Sequence, residues 1–208
     1  MYALDTQAAR KADSTGSQIN EIGKYVGTIT QAVDVTASTG TKGIALTFQS
    51  NQGQKTRVSI YTQKSNGDKL SGFQTLMALM TCLSLKNISP KPGTYTNWNN
   101  ETKKEDQVQG QVFPDLCGKP VGILLETEDY TKNDGGIGTR MVLKGVFQAN
   151  TELTASEILD RKTQPEQLAK MVLALRHRPV KATASRQHAH APAHSGSGFD
   201  DMDSDIPF

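Results

Sequence analysis

The sequence is poor in aromatic residues, has two cysteines and lacks any long apolar run. Aromatic residues make up 6% of the chain, and no apolar stretch approaches the roughly 20 residues that a bilayer-spanning helix needs. The N-terminal residues also lack the apolar core of a signal peptide. Cys82 and Cys117 have neither CxxC nor CxxH spacing, which favours two free thiols in a reducing compartment. We therefore expect a cytoplasmic protein with no membrane contact.

Motifs for catalysis, cofactors and metals are also missing. The glycines of NDGGIG (133–138) are not followed by the GK[ST] of a phosphate-binding loop. Glu126 and Glu128 have no histidine or nucleophile near them in sequence, and the histidines of HAHAPAH (188–194) lie in a segment poor in apolar residues. We expect no enzymatic activity, no cofactor and no metal site.

Charge is unevenly distributed along the chain. The formal net charge is +2, but the last nine residues contain four of the 21 acidic residues and none of the 23 basic ones. The first 199 residues therefore carry +6 and the last nine carry −4. A basic body with an acidic tail is typical of a nucleic-acid-binding protein with a separate interaction arm.

Alternation of apolar and polar residues predicts three strands in hairpin succession. The runs are GKYVGTITQAVDVT (23–36), IALTFQ (44–49) and TRVSIYT (56–62), separated by turn-rich segments. In the first run Tyr25, Ile29, Val33 and Val35 share one parity, which predicts that they face the core together.

The period then changes to that of a helix. KLSGFQTLMALMTCLSL (69–85) has apolar residues at three- and four-residue spacing. The polar stretch 86–119 leaves three interpretations open, namely a functional loop, a mobile segment or a hairpin. KPVGILLETEDY (119–130) and TRMVLKGVFQ (139–148) then predict a fourth and a fifth strand. On the fifth, Arg140 and Lys144 oppose a side formed by Met141, Leu143 and Phe147.

The order of three strands, a helix and two strands predicts a mainly β protein built on a five-stranded OB-fold barrel. We divide the chain into an N-terminal arm (1–22), the OB-fold domain (23–150), a helical segment (151–176), a flexible linker (177–199) and an acidic tail (200–208). Two short helices are expected in the helical segment, at 156–160 and 166–175. The linker is too rich in Ala, Pro, His, Ser and Gly to bury a core.

The tail combines charge with a terminal apolar anchor. A solubilising acidic tail would account for the aspartates but not for the residues that follow them. An aromatic ring, a terminal carboxylate and a stiffening proline suit capture by a partner protein, and the aspartates favour approach to a basic rim. The candidate interaction residues are Asp200, Asp201, Asp203, Asp205, Ile206, Pro207 and Phe208.

The ending Asp205-Ile206-Pro207-Phe208 resembles the tail of bacterial single-stranded DNA-binding proteins. The segments MYALDTQAARKAD, MALMTCL and PDLCGKPVG are similar instead to a phage- or prophage-encoded group of OB-fold single-stranded DNA-binding proteins. This resemblance implies sequence-tolerant binding of single strands in phage replication or recombination, in the host cytoplasm. It also implies docking of the tail onto replication, recombination or repair proteins. Bacterial proteins of this class bring several OB-folds together, so a homo-oligomer is possible.

Single strands are bound by aromatic stacking and by cations that follow the phosphates. The stacking candidates are Tyr61, Tyr95 and Trp98. The cationic candidates are Lys24, Lys42, Lys55, Arg57, Lys103, Lys104, Arg140 and Lys144. Two other functions stay open: a recombination mediator or strand-annealing protein, and an adaptor that occupies tail-binding pockets of host proteins without binding DNA.

Overall fold

A computed structural model describes residue 6 and residues 18–99, 102–132 and 134–180. The acidic tail, nearly all of the predicted linker and most of the N-terminal arm lie outside these residues. Within them the protein is mainly β, with an antiparallel sheet and few helices. No helix in the described part of the chain is both long and apolar enough to cross a membrane.

The described elements follow one another in the order strand, strand, strand, helix, four strands and two short helices. The strands are β1 (Gly23–Thr36), β2 (Lys42–Ser50), β3 (Lys55–Gln63), β4 (Lys91–Asn99), β5 (Lys104–Val112), β6 (Pro120–Thr131) and β7 (Ile137–Gln148). The helices are α1 (Ser71–Cys82), α2 (Ala155–Leu159) and α3 (Gln167–Leu173), and a 3₁₀ turn spans Pro114–Leu116.

The five predicted strands, the helix after the third strand and the two C-terminal helices are confirmed, but the predicted strand number is wrong. The described sheet has seven strands, because the polar stretch 86–119 forms the hairpin β4–β5. Of the three interpretations left open for this stretch, the hairpin is therefore the correct one. Most positions in these two strands are polar, so the strands lack the alternation of apolar and polar residues that marks the other strands.

β1 is the centre of the sheet because it pairs with three strands. Its N-terminal half pairs with β6, and β6 pairs with β7; most of its length pairs with β2, and β2 pairs with β3. β5 joins β1 at a single position, Val33 opposite Val112. The path β3-β2-β1-β6-β7 is not closed by a hydrogen-bonded ladder between its ends in the described chain. Instead, α1 packs against both end strands, β3 and β7.

The main core lies between the curved sheet and α1. It contains Phe48 from β2, Ile60 from β3, Leu79 from α1 and Leu125 from β6, all at most 4% exposed. α1 approaches β3 closely because its second residue is a glycine: a Cβ on Gly72 would lie 2.1 Å from the carbonyl oxygen of Tyr61. The helix therefore seals the core at the open side of the sheet.

A bulge in β1 reverses the alternation of side chains partway along that strand, so the predicted parity does not hold over its whole length. The register of β1 with β2 shifts between Ile29 and Gln31, so the side-chain alternation changes direction there. Ile29 and Ala32 enter the main core, whereas Val33 points to the opposite face. The prediction that Ile29 and Val33 share a face is therefore wrong.

A second bulge, at Lys144 in β7, divides the apolar residues of that strand. Gly145 pairs with Leu124 and Leu143 with Leu125, so Lys144 is the extra residue. Met141 and Leu143 pack on the main core, but Phe147 packs in a separate cluster with Leu124 and Leu168 of α3. The prediction that Phe147 faces the same side as Met141 and Leu143 is wrong, although Phe147 is fully buried.

Candidate nucleic-acid interface

The hairpin β4–β5, called the arm below, is polar over most of both faces. Thr94 and Trp98 on β4 share one exposed face with Gln107 and Gln109 on β5, and the paired residues Asn97 and Asp106 lie on the other. Only the base of the arm pairs with the rest of the sheet, through Val112 on β5. The arm is therefore held by its own ladder and by side-chain contacts and not by a core of its own.

Two contacts near the tip hold the arm over the outer face, which is the face of β1–β3 turned away from the main core. The side chain of Gln31 donates from Nε2 to the Thr96 carbonyl oxygen at 2.9 Å and accepts from the Thr96 N–H at 2.8 Å. Arg57 donates from Nη1 to Asn97 Oδ1 at 2.7 Å. Because Gln31 is on β1 and Arg57 on β3, the free edge of β4 lies across the face.

Burial of apolar side chains on the outer face is consistent with this placement. Val33 and Ala45 are 2% and 4% exposed, yet neither belongs to the main core. Their sequence neighbours Ala32 and Leu46 do belong to it, and adjacent residues of a strand point to opposite faces.

Among the described residues, the arm has hydrogen bonds to this face at Gln31 on β1 and Arg57 on β3. On β3, Lys55, Arg57 and Ser59 remain exposed.

Three predicted binding residues lie on the outer face of β3. Lys55, Arg57 and Tyr61 alternate with Thr56, Val58 and Ile60, which are buried. Lys55 and Arg57 are exposed and Tyr61 is half-buried. Lys42 is exposed at the start of β2, opposite Gln63. None of Lys42, Lys55 and Arg57 forms an ion pair with a residue in the described ranges.

The two aromatic candidates on the arm differ in accessibility. Trp98 is 52% exposed and pairs across the hairpin with Glu105. Tyr95 is half-buried because its ring lies on Gly110, where an added Cβ would be 2.8 Å from the ring. Trp98 therefore offers a ring face to a ligand, while Tyr95 contributes to packing within the arm.

The tip of the arm holds the two remaining lysines of this group. Lys103 adopts a left-handed backbone conformation (φ 54°) in the turn, and Lys104 begins β5. Glu105 and Asp106 follow directly, so these four charges balance. The surplus positive charge of the region consequently resides on β2 and β3.

The other three predicted cations lie on the opposite part of the sheet. Lys24 forms an ion pair with Glu152 at 2.7 Å. Arg140 donates from Nε and Nη2 to Glu128 Oε2 at 2.9 and 2.7 Å. Lys144 is the bulge residue of β7 and lines an open groove beside α1 and α3. The structure thus places Lys55, Arg57 and Tyr61 on one face of β3, with Arg57 in contact with the arm, and Lys42 at the opposite end of the β2–β3 pair from Lys55. Lys24, Arg140 and Lys144 lie elsewhere.

Sequence reasoning missed Gln31 and Asn97, which position the arm. A glutamine in a predicted strand carries no signal of its own, and the direction of the Gln31 side chain depends on the bulge beside it.

Near the end of the described chain, two side chains contact carboxylates of β6. Arg178 donates to the buried Glu126 at 2.7 Å, and His177 Nε2 lies 3.0 Å from Asp129 Oδ2. Hydrogen bonds from Thr139 and His177 lower the pKa of Asp129.

Two further features of the described part of the chain concern metal binding and thiol reactivity. No group of three His, Cys, Asp or Glu side chains there could hold a metal ion. Cys82 and Cys117 are free thiols, and burial raises the pKa of Cys82 to about 11, so its reactive thiolate is disfavoured. The candidate tail residues, from Asp200 to Phe208, lie outside the described residues.

Comparison with known proteins gives no family for this chain. No protein-family model matches the sequence, and no curated protein is similar to it at a significant level. The residues and their arrangement are therefore the basis for any function proposed.

Proposed function

We propose that this protein binds single-stranded DNA without sequence specificity, using the outer face of β2 and β3 together with the arm. Its acidic tail recruits replication, recombination or repair proteins to the coated strand. The protein acts as a binding protein and not as an enzyme.

The observations that carry this proposal are an exposed tryptophan on the arm and cations on β2 and β3 that have no ion-pair partner among the described residues. Trp98 is the sole tryptophan of the chain and is half-exposed on the arm. It follows Asn97, which accepts a hydrogen bond from Arg57 on the sheet. Because Asn97 is neutral, the charge of Arg57 is available to a phosphate, and base stacking on Trp98 is sequence-tolerant.

The strand order supports an OB-fold as the scaffold. In an OB-fold a long first strand pairs with the second and the fourth strand, and a helix follows the third. Here β1 pairs with β2 and β6, β6 pairs with β7, and α1 follows β3. On this interpretation the arm is an insertion between the helix and the fourth barrel strand. The outer face of β2 and β3 is then the surface on which OB-folds bind oligonucleotides.

The tail provides the second half of the proposed function. Its aspartates and terminal Ile206-Pro207-Phe208 are separated in sequence from the last described residue, Val180, by the predicted linker. Such spacing would let the tail reach a partner while the body stays on the strand. A terminal phenyl ring and carboxylate suit a small apolar pocket with a basic rim.

The salt dependence of binding tests the proposed surface. Removal of one phosphate-binding cation lowers the slope of log K against log salt by roughly 0.7 for single strands. Lys55→Gln should therefore lower the slope for oligo-dT by about that amount, because Lys55 is on the outer face. Lys170→Gln removes a lysine of α3 that is also exposed and should leave the slope unchanged. Equal slopes for the two variants would contradict the assignment of the surface.

An annealing assay and the oligo-dT titration separate the other functions. A strand-annealing protein would also accelerate pairing of complementary strands, which an annealing assay detects. An adaptor would bind the tail partner but show no affinity for oligo-dT.

A further inference from the structure

The position of the arm depends on few contacts outside its own ladder. At the base, the Phe113 N–H donates to the Ala32 carbonyl oxygen at 2.8 Å, and Val112 pairs with Val33. Beyond that base, no ladder joins the arm to another strand in the described ranges. The side-chain contacts of Gln31 and Arg57 therefore determine where the outer part of the arm lies.

At the free edge of β4, the side chain of Gln31 forms the pair of hydrogen bonds that a neighbouring strand would otherwise form. The N–H and carbonyl groups of Thr96 both bond to the Gln31 amide, so they point away from β5. A primary amide offers a donor and an acceptor side by side, as a peptide group does. A carboxylate lacks the donor and an ammonium lacks the acceptor, so the contact requires an amide.

We propose that Gln31 is a positioning residue that latches the arm over the outer face, so that a bound single strand is retained between them. The inference rests on the function proposed above and names the residue that sets the geometry of its site. Trp98 lies two residues beyond the latched Thr96 on the same side of β4, so the latch also fixes the stacking ring. A latched arm slows release of the strand more than it affects capture.

The test compares Gln31→Met with Gln74→Met in the full-length protein. Methionine has a similar volume to glutamine but cannot form the paired hydrogen bonds. Gln74 is exposed on α1, which packs on the main-core side of the sheet and outside the proposed binding surface. Hydrogen exchange of the Thr96 amide is measured without DNA, and the dissociation rate of oligo-dT is measured by stopped-flow fluorescence of Trp98.

Removal of two neutral hydrogen bonds should accelerate Thr96 exchange at least about tenfold and oligo-dT release about five- to tenfold in Gln31→Met. Gln74→Met should change neither rate. Unchanged Thr96 exchange in Gln31→Met would overturn the latch whether or not DNA binds. Faster exchange with unchanged release, or equal acceleration of release in both variants, would overturn its role in strand retention.

Failure of the proposed function has a different signature. If the unmodified protein binds no oligo-dT, both the function and strand retention are refuted. The exchange of the Thr96 amide would then still report whether Gln31 holds the arm.

Discussion

Glu157 provides a quantitative test of the C-terminal part of the structure. Its side chain is buried, with the residue 1% exposed, and it accepts four hydrogen bonds, two from the N-cap of its own helix α2 and two from the start of α3. Oε2 accepts from the N–H and hydroxyl of Thr154 at 2.8 and 2.7 Å, and Oε1 accepts from the N–H groups of Glu166 and Gln167 at 2.6 and 2.9 Å. Four donors converge on one carboxylate, so its ionised form is strongly favoured.

The magnitude follows from the pKa of this carboxyl group. Hydrogen bonds, led by the one from the Thr154 N–H, lower the pKa of Glu157 from 4.5 to about 2 despite its burial. At 1.36 kcal/mol per unit, the ionised group contributes roughly 3 kcal/mol to folding at neutral pH. Because the folded pKa is depressed, this contribution is complete above about pH 5 and is lost as the pH falls towards 2. At pH 3 about 1 kcal/mol should remain.

The assay is urea denaturation of the protein and of Glu157→Gln at pH 7 and pH 3. The amide presents its own N–H groups to backbone donors, so we expect a loss of roughly 3 kcal/mol at pH 7 and a smaller loss at pH 3. Glu166→Gln is the matched control, since its exposed side chain pairs only with Lys162 in the described residues and should cost at most about 0.5 kcal/mol. The reasoning is refuted if the two variants are equally stable or if the loss does not shrink in acid.

Two predictions concern binding. Trp98→Ala should weaken oligo-dT binding roughly 5- to 150-fold, because stacking contributes about 1–3 kcal/mol per base, whereas Trp98→Phe should retain most of the affinity; equal losses in a filter-binding assay would argue against stacking. Deletion of Phe208 should abolish capture of a tail-binding partner while oligo-dT affinity stays equal or rises slightly, because the aspartates can compete with phosphates. A drop in oligo-dT affinity on that deletion would contradict the division between body and tail.

The sequence predicts those parts of the fold that have an apolar period. β1, β2 and β3 alternate and α1 has apolar residues at helical spacing, so their positions are predicted to within a few residues. The arm is not assigned, because its strands are polar on both faces. The start of α2 could have been predicted from the sequence, because Thr154 and Glu157 occupy the first and last positions of a capping box.

The face of a strand on which a residue lies is harder to predict from the sequence than the position of the strand. The bulges beside Gln31 and at Lys144 are register shifts in the pairing with β2 and β6, the neighbouring strands along the chain, and the apolar period does not show where such a shift falls. Each bulge reverses the alternation beyond it, so Val33 and Phe147 leave the main core. Partners of charged residues are non-local: Lys24 meets a glutamate 128 residues away, which removes it from the candidate surface.

The most direct test of the central claim is a titration of the full-length protein with oligo-dT at two salt concentrations, followed by Trp98 fluorescence. If the outer face and the arm bind a single strand, the fluorescence is quenched, mixed-sequence oligonucleotides behave alike, and affinity falls steeply as salt rises. An absence of quenching and binding, a preference for duplex, or an affinity independent of salt would contradict the account.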